Sequence, residues 1–287
     1  MAILPAMTLN EYHEKYPQLP SPSVLSEALK SPAHLAYYLQ KKRRPSDEYN
    51  MGTLIHEFIE NNFVFPETMY HIENEVYLRA TSTAKAGDPK IDEDGDPKFA
   101  YICDADPERT LTAANSKKAM AIMRGLTTCD EVRELFSLGK VVIEQSMTGK
   151  INGIESKCRP DILIEMDDRV VVLEIKTTRH GLIDLAGLSR DFFDMNYDMQ
   201  CFIETEITRQ NYPSKPVEVI VLAVSTDMPS GAAIVDMPEV MFVIGEQKAA
   251  DALKVWESKP TKTFYFNRGT VELSYKATEY RVKKGIE

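Results

Sequence analysis

The sequence predicts an α/β domain in which a small mixed β-sheet is flanked by helices. The chain has 287 residues, of which 43% are hydrophobic and 27% are charged, enough for one sizeable core. Helical apolar spacing is common in the first half, whereas β-branched and alternating runs begin near residue 141. The predicted order is helices, three strands, a helix, two strands and a helix, which favours an α/β layer. We therefore expect residues 1–287 to form a single domain.

Residues 1–50 are expected to form a helical N-terminal extension. Pro22 and Pro32 suit the first turn of a helix, because their fixed φ fits there and the missing N–H is not needed. Ser23 and Ser31 can cap helix N termini. We therefore predict two short helices in this region.

A further helix is predicted for residues 51–63, MGTLIHEFIENNF. Thr53 can cap its start, and apolar residues recur at helical spacing on one face. These apolar residues are Leu54, Ile55, Phe58 and Ile59. Residues 80–110 are rich in Asp, Gly, Pro and Lys and have no clear period, so they predict a long loop.

The second half of the chain carries the predicted strands. Residues 115–138 have a helical pattern, and strands then begin at residues 141–149, VVIEQSMTG. Residues 191–210 predict one helix, and the β-branched run at 217–226 predicts a strand. Residues 239–258 predict a strand followed by a terminal helix. These elements complete the order from which the fold class is predicted.

A β-hairpin with charged residues in its second strand is predicted for residues 156–178, SKCRPDILIEMDDRVVVLEIKTT. The polar pair Asp167–Asp168 separates two apolar runs and marks the turn. If the turn is centred there, Asp161 lies directly opposite Glu174. Side chains alternate between the two faces of a strand, so Lys176 shares the face of Glu174. Two carboxylates and one ammonium group are therefore expected to converge.

The two opposed acids need a compensating partner, because like charges at opposed positions of paired strands are destabilising. A hard divalent cation held by the carboxylate oxygens would remove this repulsion. The alternative is a structural salt bridge on a solvated hairpin face. Val171 and Leu173 on one face and Val172 on the other predict a strand that is covered on both sides. That pattern favours the cation over the solvated salt bridge.

The formal net charge of −10 argues against a protein that binds polyanions nonspecifically. Local basic runs occur at Lys117–Lys118, at Arg281–Lys284 and in the KKRR segment. The KKRR segment consists of Lys41, Lys42, Arg43 and Arg44. Each run could face a phosphate backbone or form a solvated surface. If the chain binds DNA, we therefore expect its basic residues to be gathered in one channel.

The four cysteines lack the paired spacing of a zinc ribbon or of a compact disulfide framework, so free thiols are expected. They are Cys103, Cys129, Cys158 and Cys201. No apolar run reaches the ~18 residues needed to cross a bilayer, and the N terminus lacks a secretory signal pattern. A cytoplasmic location is therefore expected.

The hairpin resembles the PD-(D/E)XK nuclease signature, in which Pro160–Asp161 precedes the Glu174–Lys176 triplet. His56 in an upstream GT..H stretch, and a downstream helix with Tyr197 and Gln200, follow the order of RecB-type nucleases. The SPAH, GT..H, CRPD and KTT stretches are similar to those of the RecE-type phage exonucleases, the exonuclease VIII group. The resemblance covers most of the chain.

This resemblance implies a PD-(D/E)XK core and a Mg²⁺-dependent 5′-3′ exodeoxyribonuclease, with Mn²⁺ as a possible substitute. Such an enzyme digests linear double-stranded DNA and leaves 3′ single-stranded tails for homologous recombination by strand annealing. The resemblance also implies a homo-oligomeric ring, with a tetramer favoured, and a single-strand-annealing recombinase as partner. The expected location is the bacterial host cytosol, with a phage or prophage as the source of the gene.

Carried over by position, Asp161 and Glu174 would bind the metal ion. The Ile175 carbonyl and His56 would complete the ligands, and Lys176 would orient or activate the attacking water. Residue type alone would make His56 an ordinary half-buried histidine. The metal role of His56 is therefore an expectation from the resemblance.

DNA contacts are expected from the downstream helix and from basic residues. Gln200 matches the family's Gln, but Glu204 stands where the family has Tyr, and Tyr197 could substitute from the preceding turn. Arg159 and the KKRR segment are expected to line a basic channel that the ring encloses. Glu144 could reach the same pocket or remain a solvated strand carboxylate.

Three other functions remain open at this stage. An endonuclease, such as a restriction or junction-resolving enzyme, would use the same metal site. A degenerate member would only bind DNA, although the intact set of Asp161, Glu174 and Lys176 disfavours it. A small-molecule phosphohydrolase would be expected to carry a glycine-rich phosphate-binding loop, which this sequence lacks.

Overall fold

A computed structural model describes residues 1–40, 47–64, 74–77, 90–91, 97–102, 111, 113–182, 184–227 and 229–262 of the chain. The KKRR segment, Cys103 and the Arg281–Lys284 run lie outside these residues. Within the described residues, no helix is both long enough and apolar enough to cross a membrane.

Both halves of the described chain contain helices and strands. The first half contains β1 (Ala2–Ile3), α1 (Leu9–Lys15), α2 (Pro22–Lys30), α3 (Pro32–Gln40), α4 (Asp47–Glu60), β2 (Asn74–Tyr77), β3 (Lys90–Ile91), β4 (Pro97–Ile102), α5 (Ala113–Thr127) and α6 (Asp130–Ser137). The second half contains β5 (Lys140–Ile143), β6 (Met147–Ile151), β7 (Ile154–Cys158), β8 (Ile162–Glu165), β9 (Val170–Thr178), α7 (Leu185–Asp194), α8 (Tyr197–Asn211), β10 (Val217–Ser225), β11 (Ala232–Asp236) and α9 (Glu239–Glu257).

Among the described residues, five strands form the central sheet in the order β11-β10-β9-β8-β5. β9 and β10 run parallel, and α7 and α8 lie in the connection between them, whereas all other neighbouring strands of this sheet are antiparallel. Two smaller sheets have the strand orders β1-β6-β7 and β2-β4-β3. The predicted α/β class, with a mixed central sheet flanked by helices, is therefore confirmed.

The β8–β9 hairpin has the register that the sequence predicts. Ile162 pairs with Leu173 and Glu165 pairs with Val170, in antiparallel orientation. The turn is therefore centred on Asp167–Asp168. This register continues into the position of Asp161 opposite Glu174, one residue before β8 begins.

β9 is covered on both faces, as its apolar run predicts. Val171, Leu173 and Ile175 pack with buried residues of α4 and α5. Val170 and Val172 pack with buried residues of α2, α8 and α9. Nearly every residue of β9 is buried, so a charged side chain on this strand needs a partner inside the protein.

The N-terminal region contains three described helices, and the sequence predicts only two. α1 begins after Thr8, whose side chain caps it. Ser21 occupies the N-cap position of α2, and the predicted cap Ser23 lies inside that helix. Ser23 does not cap α2 because Pro22, in the first turn, sets the start of the helix at the preceding residue, Ser21. The Ser31 hydroxyl accepts a hydrogen bond from the His34 N–H at the start of α3, as predicted.

Two further expectations for the first half are corrected. α4 begins at Asp47, so Thr53 lies inside the helix and does not cap it. Within residues 80–110, where a long loop is expected, β3 and β4 pair with each other and β4 also pairs with β2. The short alternation of β4 is hard to recognise in the sequence because Gly, Pro and Asp surround it.

Two elements after the hairpin also differ from the prediction. The helix expected at 191–210 is divided into α7 and α8 at Asn196, whose left-handed backbone (φ 57°) breaks the helical path. Residues 239–257 form one helix without the predicted strand, and the edge strand is instead β11. Small and apolar residues recur at helical spacing on the buried side of α9, which a helix accommodates over the whole run. These buried residues are Gly245, Ala249, Ala252 and Leu253.

Candidate active site

The two acids of the hairpin meet at the start of β8. The backbone N–H of Asp161 donates to Glu174 Oε1 at 3.1 Å. The backbone N–H of Ile175 donates in return to Asp161 Oδ2 at 2.7 Å. These crossed hydrogen bonds hold both carboxylates at the same end of the hairpin.

Lys176 supplies a cation to both acids. Its Nζ lies 2.6 Å from Glu174 Oε2 and 3.8 Å from Asp161 Oδ2. Glu174 is fully buried; burial raises its pKa, the charge of Asp161 raises it further, and Lys176 opposes both effects. Burial alone would lower the pKa of Lys176, but the surrounding acids, Glu174 first, hold it well above its usual value. The structure therefore favours a charged lysine at this position.

Helix α8 places Gln200 and Glu204 beside the buried acid, one helical turn apart. Gln200 Nε2 donates to Glu174 Oε2 at 2.7 Å and to Glu204 Oε1 at 3.0 Å. Burial, and then the charge of Glu174, raise the pKa of Glu204 well above its usual value. Glu204, which stands where the family has Tyr, is thus a buried acid whose neutral form is favoured. It accepts a hydrogen bond from the Gln200 amide.

Tyr197, the first residue of α8, lies against Lys176. The Lys176 Nζ is 5.2 Å from the Tyr197 ring centroid, a cation–π distance. The ring also packs edge-on against Phe192 of α7, with centroids 5.5 Å apart. Burial raises the pKa of Tyr197. Tyr197 therefore restricts the movement of the lysine at the wall of the site.

Helix α4 contributes His56 and, one turn later, Glu60. His56 Nδ1 lies 3.7 Å from Asp161 Oδ1. Ligand atoms of His56, Glu60 and Asp161 all lie within 4.8 Å of one another. Glu60 is not among the residues predicted from the sequence, although its spacing of four residues from His56 places both on one helix face.

This group of residues fits a divalent cation. Burial, followed by the charges of Glu144 and Asp161, raises the pKa of Glu60 to about 8. Crowded carboxylates with one imidazole form the kind of oxygen and nitrogen ligand set that Mg²⁺ or Mn²⁺ accepts. A bound cation would remove the repulsion between the two opposed carboxylates of the hairpin.

Arg159 and Glu144 form an ion pair beside these acids. Arg159 Nη2 donates to the Glu144 carboxylate, and Arg159 Nε donates to the Glu144 carbonyl oxygen at 3.2 Å. Glu144 has a left-handed backbone (φ 48°), uncommon for a non-glycine residue, and its N–H donates to the Asp161 carbonyl at 2.9 Å. The Arg159 side chain is 8% exposed, and its Nη1 has no hydrogen-bond partner within the described part of the chain. Glu144 is therefore a partner of Arg159 and not a freely solvated carboxylate.

A cleft of about 520 Å³ gathers most of the predicted site residues. Those that line it are His56, Glu144, Arg159, Asp161, Ile175, Lys176, Tyr197, Gln200 and Glu204. Glu174 lies fully buried behind Lys176 and Gln200. The four basic residues of the KKRR segment lie outside the described residues, so their expected DNA contacts stay predictions.

Residues 21–262 match a family model described as a PDDEXK-like domain of unknown function (DUF3799). The chain belongs to this family. The match includes α4, the hairpin and α8, which carry the site described above. The resemblance to the PD-(D/E)XK superfamily is therefore confirmed.

The fold of this PDDEXK-like protein is also similar to solved structures. A crystal structure from Eubacterium rectale, named "Putative exonuclease", has a TM-score of 0.53 and 14% identity, and the match covers 89% of this chain and 88% of that chain. At this identity the likeness concerns the fold alone. A crystal structure of SSO0001 has a TM-score of 0.27 and 17% identity over 49% of this chain and 67% of that chain, too low to support an argument. No curated protein matches the sequence at a significant level.

Proposed function

We propose that this PDDEXK-like protein is a metal-dependent DNA nuclease, and more specifically a RecE-type 5′-3′ exodeoxyribonuclease that acts on linear double-stranded DNA. The observation that best supports this proposal is that Asp161, Glu174 and Lys176 lie together with His56 beside one cleft. A module that only binds DNA has no need for a buried carboxylate beside an ammonium group, because burying such charges is costly. Digestion would leave 3′ single-stranded tails for recombination by strand annealing.

Each residue of the site has a separate role in the proposed reaction. Mg²⁺ or Mn²⁺, when bound, supplies a Lewis acid that polarises the phosphoryl group and lowers the pKa of water. Asp161 and His56 line the cleft and offer oxygen and nitrogen ligands. The Glu174 carboxylate is held in place by hydrogen bonds that it accepts from Lys176 and Gln200. The Lys176 ammonium group lies near both hairpin acids, from where it can orient a water molecule or a phosphate oxygen.

The cleft volume of about 520 Å³ falls within the ~300–1,000 Å³ of sites that hold one small molecule, which is room for a short piece of one strand. We favour an exonuclease over an endonuclease because the SPAH, GT..H, CRPD and KTT stretches are similar to those of the RecE-type exonucleases.

A ring-shaped homo-oligomer, with a tetramer favoured, belongs to the same proposal. With a net charge of −10, a single open surface would repel duplex DNA, so basic residues need to be concentrated around the substrate. Arg159 in the cleft is one such residue, and we propose that the KKRR segment extends this basic lining. A single-strand-annealing recombinase would act on the 3′ tails that the ring produces.

End-labelled linear duplex is expected to be degraded in Mg²⁺ or Mn²⁺ and to survive in EDTA. Covalently closed circular duplex should resist the protein under the same conditions, because it has no ends. Ca²⁺ should support DNA binding but little cleavage, since its larger and looser coordination shell positions water and phosphate less well. Gel analysis of the labelled products, with 5′-labelled and 3′-labelled strands in parallel, measures both activity and polarity.

Asp161→Asn serves as the inactive control for that assay. Equal cleavage of circular and linear duplex would replace the exonuclease with an endonuclease. DNA binding without cleavage in either Mg²⁺ or Mn²⁺ would leave only a DNA-binding module.

Arg159→Gln is expected to weaken binding of a DNA end about tenfold or more. Arg159 is one of the residues that line the cleft, and a charge-assisted hydrogen bond to phosphate contributes about 1.5–3 kcal/mol. The slope of log affinity against log salt should fall by about one unit, as for the loss of one phosphate contact. Fluorescence anisotropy in Ca²⁺ measures both quantities without cleavage.

Arg169→Gln is the matched control, because Arg169 lies in the hairpin turn and is paired with exposed Asp168 and Glu218. It should bind DNA ends with unchanged affinity. Equal losses for the two variants would mean that Arg159 contributes only general positive charge.

A further inference from the structure

Glu60 is a partly buried acid without a cation of its own. In the described part of the chain, no residue donates a hydrogen bond to its carboxyl group, and no residue forms an ion pair with it. It lies at the C-terminal end of α4, one turn beyond His56 and next to Asp161. The negative charges of Glu144 and Asp161 act on it, and the charge of Arg159, which is paired with Glu144, offsets them only in part. A carboxyl group in this position is better satisfied by a bound cation than by solvent alone.

When Glu60 is ionised, as metal binding requires, the groups around Asp161 carry an excess of two negative charges. Four carboxylates and two cations of the described residues then meet there. The carboxylates are those of Glu60, Glu144, Asp161 and Glu174, and the cations are those of Arg159 and Lys176. Arg159 is paired with Glu144 and Lys176 with Glu174, so Glu60 and Asp161 share the excess. One divalent cation would balance it.

The distances also suit a single ion. Ligand atoms of His56, Glu60 and Asp161 lie within 4.8 Å of one another, and two ligands on opposite sides of an Mg²⁺ ion are about 4.2 Å apart. A small side-chain rotation therefore brings all three into coordination distance. The oxygen available from Asp161 is Oδ1, because Oδ2 accepts the Ile175 N–H.

We propose that Glu60 is a metal ligand, and that His56, Glu60 and Asp161 form a cation site on the α4 side of the hairpin. This inference rests on the proposed nuclease function and adds a residue that the PD-(D/E)XK signature does not contain. Glu174 keeps its bonds to Lys176 and Gln200 in this arrangement. With an imidazole among the ligands, the site should bind Mn²⁺ more tightly than Mg²⁺ and favour both over Ca²⁺, which prefers six to eight oxygen ligands.

Glu60→Gln is expected to weaken Mn²⁺ binding to the DNA-free protein at least about tenfold, the scale on which metal sites respond to loss of a supporting residue. Isothermal titration calorimetry gives the affinity, and electron paramagnetic resonance of bound Mn²⁺ reports the change of ligands. The amide has the shape of the neutral acid, so the metal-free variant should melt no lower than the wild type. Glu60→Asp keeps a shorter carboxylate and should have an intermediate affinity.

The controls separate this inference from the proposed function. Glu134→Gln, on the exposed side of α6, makes the same change of charge and should leave Mn²⁺ affinity unchanged. Asp161→Asn should abolish binding. Loss of binding in Asp161→Asn with wild-type affinity and spectrum in Glu60→Gln would overturn the role of Glu60 and leave the nuclease proposal intact. Wild-type Mn²⁺ affinity in both variants would overturn the metal site and with it the proposed function.

Discussion

Lys176→Met is expected to reduce Mg²⁺-dependent DNA degradation by about 10³-fold or more, the scale of losing one charged group that stabilises a transition state. The same change should lower the free energy of unfolding by about 3–5 kcal/mol. The reason is that Glu174 is fully buried and would lose the ammonium group 2.6 Å away. Degradation of labelled linear DNA measures the first effect, and urea denaturation of the metal-free protein measures the second.

Two variants test the cause. Lys176→Met combined with Glu174→Gln should recover much of the lost stability without recovering activity, because no buried charge is left unpaired. Asp161→Asn should also stop degradation, but with stability equal to or above that of the wild type, since it relieves the repulsion between the opposed acids. Near wild-type degradation by the Lys176 variant would refute the proposed active site.

Lys248→Met is expected to lower the free energy of unfolding by a similar amount, about 3–5 kcal/mol, by leaving a buried carboxylate unpaired. Lys248 of α9 lies 2.9 Å from Asp198 Oδ2, and Asp198 in the first turn of α8 is fully buried. This ion pair joins α9 to the helix that carries Tyr197 and Gln200. Chemical denaturation measures the loss, which should appear as a lower midpoint with an unchanged slope.

Lys254→Met on the same helix is the matched control. Its partner Asp251 is exposed, and such a surface pair contributes only about 0–1 kcal/mol. Comparable destabilisation by the two variants would mean that helix α9 depends on its lysines in general. It would rule out the buried pair as the anchor of α8.

The sequence by itself determined the hairpin and the acids on it. Strand side chains alternate with a period of two, and a short polar turn sets which residues pair. The Asp167–Asp168 turn and the apolar runs beside it were therefore enough to place Asp161 opposite Glu174 and Lys176 on the same face. The α/β class could be predicted for the same reason, because it depends on the order of local patterns.

Only the tertiary structure decided which helices complete the site. His56 and Glu60 reach Asp161 because α4 packs on one face of β9, and Gln200 reaches Glu174 because α8 packs on the other. No local pattern reports such a contact between residues far apart in the chain. Local patterns were also ambiguous at the start of α9, where an apolar run suits a strand or a buried helix equally well. The later residues of α9, from Gly245 to Leu253, pack beside α8 and decide for the helix, since packing of distant elements outweighs local preference.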